Sequence, residues 1–209
     1  TTRLHPKLAW FLFSRYLMIA ATFVFPTYGL FFLDDVGQVA NPAQTLGIMI
    51  AAIGGAVVLS VYPAGWLSDR IGHKPVVLMG AIAAALGLAS MTQAVGPNQV
   101  LFIASLSGAA VGVVLTANWA LANELADEAQ AGLHMGIVNL ATIGGAAGAK
   151  MLGPGIDALN RIPGRSDDFG YQVLIAGAAG FFILGAILLM PLKTTGREAV
   201  SGDASPPPA

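Results

Sequence analysis

Residues 65–74 read Gly65-Trp66-Leu67-Ser68-Asp69-Arg70-Ile71-Gly72-His73-Lys74, a short passage joining two long apolar runs, Leu46–Leu67 and Val76–Val95. As a helix, each run is long enough to cross a hydrocarbon core about 30 Å thick at about 1.5 Å per residue, and each is too long for a globular strand. The passage therefore reads as a tight loop between two membrane helices. Its residue types suit that place. Gly65 removes a side chain where two helices must approach closely, Asp69 offers a carboxylate to a neighbouring helix N-terminus, and Gly72 permits the backbone angle a tight loop needs. Arg70 and Lys74 anchor the loop in a headgroup layer.

Outward from this loop the same pattern repeats, with further apolar runs at Leu8–Leu33, Val100–Ala122, Leu133–Ile156 and Tyr171–Leu192. The count is six transmembrane helices in one bundle over residues 8–192, with a basic lead or linker at 1–7 and a disordered tail at 193–209. Composition agrees: of 209 residues 56% are hydrophobic and 10% charged, where a soluble domain carries about 25% charged residues. A net charge of -1 provides no basic field for nucleic acid, and the absence of cysteine closes disulfide and thiolate chemistry. No zinc-protease motif or paired buried aspartate appears, so neither an enzyme nor a metal or cofactor is expected.

Six spans put both termini on one side. Arg3, Lys7, Arg15, Arg70, Lys74, Lys193 and Arg197 fall on that side, against Arg161 and Arg165 on the other. The positive-inside rule makes both termini cytoplasmic, in what is expected to be a bacterial cytoplasmic membrane.

The order Gly65, Asp69, Arg70, Gly72 and Lys74 resembles the signature loop of the major facilitator superfamily, which joins the second and third helices of each six-helix half. His73 stands where Arg or Lys is commoner in that signature, and Pro75 is expected to begin the next helix. The resemblance implies an all-α polytopic membrane protein whose six transmembrane helices form one half of a major facilitator fold. It implies a secondary transporter moving a small solute across the bilayer by rocker-switch alternating access. The basic lead resembles the linker between halves, so the chain is expected to be the second half. Its partner would then be an N-terminal six-helix half, in the same polypeptide or another chain. A self-sufficient six-helix protein that dimerises is the other reading. For function, the alternative is a non-transporting membrane module of the same fold, such as an assembly or pigment-delivery subunit. Ser14-Arg15-Tyr16, the stretch Tyr28–Leu33 and Ala122-Asn123-Glu124 are similar to sugar-cation symporters.

In that fold the first and fourth helices line the cavity, the second and fifth flank it, and the third and sixth face lipid. Lipid tails cannot satisfy polar groups, so polar side chains inside the spans are expected to point inward. The substrate-cavity candidates are Tyr28, Thr116, Asn118, Trp119, Asn139 and Lys150. Trp119 stacks on a ligand or sits in an interfacial aromatic belt; Lys150 contacts an anion or snorkels outward; Arg15 has the same two readings on the opposite side. Pro26 makes either a gate or a static kink, and Gly144, Gly145 and Gly148 form a small-residue packing surface. No Asp or Glu occurs inside any span, so a buried proton carrier would have to come from the other half. Asp69 is expected to latch the two halves in the outward-open state, with Glu124 holding Arg70 in a supporting ion pair.

Overall fold

In the computed structural model, residues 6–35, 41–93, 96–126, 130–162 and 169–192 are described. The lead before Pro6, Arg165, Asp168 and the tail from Lys193 onward lie outside the described residues. Seven helices follow in order: α1 Pro6–Asp35, α2 Pro42–Ile71, α3 His73–Met91, α4 Pro97–Leu125, α5 Ala131–Lys150, α6 Gly153–Asn160 and α7 Phe169–Leu189. Among the described residues there is no strand. Six segments are long and apolar enough to cross a membrane, with α5 and α6 together making the fifth.

Helix boundaries follow the residues that set them. Proline opens α2, α4 and α6, where its missing N–H removes a donor that has no partner anyway. Gly72 ends α2 and begins α3 as a one-residue link, at φ +94°, a left-handed backbone angle that side chains disfavour. Helix α3 starts at His73, so Pro75 falls within its first turn instead of opening it. The run expected as one fifth span breaks after Lys150, because Pro154 cannot donate back into α5. Pro26 lies inside α1 without ending the helix.

α1 packs mainly on α5 and α7, α4 packs mainly on α2 and α3, and contact between α3 and α7 joins the two groups. Small residues let backbones close up. A Cβ on Gly145 of α5 would stand 2.7 Å from the Tyr16 carbonyl oxygen of α1, so Gly145 and its neighbours are packing residues. Helices α3 and α7 bury one face, including Val76, Ala81, Ala84 and Phe182, and expose Met79, Leu86, Leu184 and Ile187 on the other. The least covered spans are the second and fifth, 11% and 17% buried against 39–44% for the other four. Their bare apolar faces lie on the helices expected to flank the cavity.

Candidate functional site

α1 and α4 touch only sparsely along their lengths, and a single buried charge bridges them. Arg15 of α1 is 1% exposed. Its Nη1 donates to Asn118 Oδ1 on α4, and its Nε donates to Thr142 Oγ1 on α5 at 3.0 Å. The guanidinium carbon stands 4.2 Å from the ring centre of Trp119, a cation–π contact. Arg15 lies nine residues into α1, Asn118 seven from the end of α4 and Thr142 eleven into α5. At about 1.5 Å per residue the cluster is roughly 10 to 16 Å deep from the bundle end that carries the 65–74 loop. Buried against α4 and α5 at that depth, Arg15 does not snorkel outward.

The cluster explains Asn118 and Trp119 as a unit. A guanidinium has only donors, so the Asn118 amide must turn its oxygen toward Arg15 and its Nδ2 away. Thr142 accepts from Arg15 while its own hydroxyl donates to Val138 O at 3.0 Å. Every partner of the charge is neutral. The sequence names Asn118 and Trp119 by residue type, but it assigns Arg15 to the loop-side cations and marks Thr142 as nothing more than a polar residue. The absence of any acid from the spans was the signal available, since a cation inside a run without acids has no local counter-ion.

Next to the cluster, toward the other end of the bundle, lies a cavity of about 210 Å³. Thr22, Pro26, Ile53, Ser107, Leu115 and Phe182 are among its lining residues. Its two hydroxyls are committed to their own helices, Thr22 Oγ1 donating to Met18 O at 2.9 Å and Ser107 Oγ to Ile103 O at 2.8 Å. The space is therefore apolar in effect.

Other candidates fall elsewhere. Tyr28 is buried, and its hydroxyl stands 3.1 Å from Ala149 O and 2.9 Å from Lys150 O at the end of α5, where Ala149 O also accepts from Leu152 N–H at 3.3 Å. Thr116 is half-buried on the α4 face that Trp119 continues one turn later. Asn139 and Lys150 are exposed, and 11 residues on a 3.6-residue repeat put them on one stripe of α5. None of these four touches the Arg15 cluster through a hydrogen bond among the described residues.

In the 65–74 loop, Lys74 Nζ donates to Met190 O and Leu192 O, both at 2.7 Å, so the loop clamps the C-terminal end of α7. This contact puts the end of the sixth span on the same side as the loop. Ser68 Oγ and His73 Nδ1 are hydrogen-bonded at 2.7 Å across the link. Arg70 stacks on Trp66, with the guanidinium carbon 3.9 Å from the ring centre, and forms no ion pair with Glu124 among the described residues. The expected support from Glu124 gives way to a contact one helical turn away on the same helix, where no long side chain has to reach across water. Asp69 is exposed and has no hydrogen bond or ion pair among the described residues. A Cβ on Gly65 would meet nothing within 4 Å, so among the described residues no helix approaches it closely.

Comparison with known proteins agrees with this architecture. The profile of the Major Facilitator Superfamily matches residues 9–208. Multidrug resistance protein MdtG of Klebsiella pneumoniae (strain 342) is 32% identical over 115 residues, 54% of this chain and 28% of the relative. MdtG of Escherichia coli O1:K1 / APEC is 33% identical over 119 residues, 56% of this chain and 29% of the relative. MdtG of Escherichia coli (strain K12 / DH10B) matches with the same figures, so the chain spans less than a third of the length of these relatives. They are multidrug resistance proteins, and the sugar-symporter likeness of the first span gains no support from them. With six membrane-capable helices, the signature loop between the second and third, and a family profile over nearly its whole length, this chain belongs to the major facilitator superfamily, a membrane-transporter family and not an enzyme family.

Proposed function

We propose that the chain is the second half of a secondary transporter that carries a small, largely apolar solute by alternating access. The observation that carries this reading is the apolar cavity of about 210 Å³ beside the polar cluster of Arg15, Asn118 and Trp119, at membrane depth. Such a pairing of apolar volume with a few polar groups is what a solute site needs. An N-terminal six-helix half closes the cavity by packing on the bare faces of α2 and α5, and Gly65 and Asp69 meet that half on the cytoplasmic side. The name of the relatives, multidrug resistance protein, supports a drug as the kind of solute, and their bacterial sources support a bacterial cytoplasmic membrane. Thr116 on α4 and the exposed Asn139 and Lys150 on α5 complete the proposed solute path as polar side chains outside the apolar cavity.

The test is uptake into proteoliposomes containing the full-length protein, with a panel of neutral, cationic and anionic apolar solutes, with and without a proton gradient. Saturable movement of at least one solute, lost on Asp69→Asn, is the expected result. A correctly inserted protein that moves none of them would return the chain to the class of non-transporting modules.

A further inference from the structure

Two buried donors in the Arg15 cluster have no partner: Arg15 Nη2 and Asn118 Nδ2. Each belongs to a group held by the Nη1–Oδ1 hydrogen bond, so both free donors are on one bonded pair of side chains. An unpaired buried N–H costs the free energy of its lost hydration, and here the cost falls on a charged group. Arginine cannot avoid it by losing its proton, as lysine or histidine would. Thr142, Asn118 and Trp119 are all neutral, and the acids of the spans, Asp34, Asp69, Glu124 and Asp157, form no ion pair with Arg15, so the positive charge is uncompensated among the described residues. A buried cation that keeps its charge and two free donors is a site built to receive an oxyanion.

What lies around it narrows the oxyanion further. Leu115, one turn before Asn118, lines the apolar cavity, so along α4 the cavity reaches to within one helical turn of the cluster. Trp119, whose ring covers the guanidinium, is 38% exposed and separates the charge from the open side of the bundle. We propose that Arg15 and Asn118 form an anion subsite that binds the carboxylate of an apolar organic acid, with the acid's body in the adjoining cavity and Trp119 as the movable cover. This rests on the transport reading above and names the substrate class of the same site. Arg15 Nη2 and Asn118 Nδ2 donate to the carboxylate oxygens, and the bound pair brings the cluster to zero net charge. Trp119 must leave the guanidinium face for the anion to reach Nη2, so its emission reports occupancy.

The experiment uses the full-length protein with every tryptophan except Trp119 replaced by phenylalanine. It is titrated with 4-phenylbutyrate, its neutral amide 4-phenylbutyramide and the cation 4-phenylbutylamine, and uptake of the three is measured in proteoliposomes. The carboxylate is expected to change Trp119 emission saturably and to bind at least tenfold tighter than the amide, with the amine weakest. Arg15→Gln is expected to abolish the preference for the acid over the amide, and Arg15→Lys to keep the preference at weaker affinity. If Arg15→Gln does not fold, Asn118→Ala must reduce the preference severalfold in folded protein. Equal binding of acid and amide, preference for the amine, or a preference surviving both Arg15→Gln and Asn118→Ala would overturn the subsite, as would a carboxylate elsewhere in the protein already holding Arg15 and leaving the acid without advantage. Uptake of the amide or amine with the acid inert overturns the subsite and leaves the transporter reading intact. Binding of the acid with no uptake of any solute leaves the subsite and overturns transport.

Discussion

Tyr28 sits at the end of α5, and its hydroxyl serves the carbonyls of Ala149 and Lys150. Replacing it by phenylalanine keeps the buried ring and removes the one donor, so the effect isolates the cap. Tyr28→Phe should lower stability by about 1 kcal/mol, the net size of a hydrogen bond between membrane helices. The readout is a reduced melting temperature in detergent with solute affinity unchanged; lost affinity at an unchanged melting temperature would move Tyr28 into the cavity. Trp119 is the opposite case. Its ring is partly exposed and rests on a charge, so Trp119→Ala gives up little packing but uncovers Arg15. With the covering ring gone, affinity for the acid should rise severalfold while the yield of folded protein stays close to wild type, and lost yield at unchanged affinity would make Trp119 a packing residue.

Glycines at the element scale divide by what faces them. Gly145 meets the Tyr16 carbonyl of α1, so adding a methyl group forces α1 and α5 apart. Overpacking of this kind costs about 1 to 3 kcal/mol. Gly65 on α2 faces open space, and Gly65→Ala should leave the melting temperature of the six-helix bundle unchanged. If α2 is covered by a second half, the same substitution should nonetheless slow transport, and a silent Gly65→Ala in both assays would remove that contact. These elements also mark how far a sequence carries. Pro42, Gly72 and Pro97 punctuate the chain where helices begin and end, because their backbone chemistry is local. The break after Lys150 is marked only by Gly153-Pro154, and hydropathy runs on through it from Leu133 to Ile156. The bond between Arg15 and Asn118 spans 103 positions and depends on how α1 meets α4. No window on one helix contains that geometry, so residue type points to Asn118 and Trp119 while their charged partner stays hidden.

At the scale of the whole molecule, burial of Arg15 removes it from the sequence's count of loop-side cations, which leaves six of the seven in that count against Arg161 and Arg165. The proposed cytoplasmic orientation therefore keeps its basis. On that side Lys74 fixes the loop to the end of α7, so the loop moves with this half as one body, and Asp69 stands exposed at its edge without a partner among the described residues. A carboxylate so presented is suited to the positive end of a helix from a second half. One contact of that kind contributes about 0.3 to 2 kcal/mol, enough to bias two states that differ by a few kcal/mol. Asp69→Asn keeps the shape and removes the charge. The variant should fold and insert as wild type does, shift the population toward the state open on the loop side, and reduce transport far more than Glu124→Gln, since Glu124 holds no ion pair with Arg70. Spin-label distances between the two halves across the loop end would lengthen. A distance distribution identical to wild type, together with wild-type transport, would leave the loop as an anchor that Lys74 ties to α7 and nothing more.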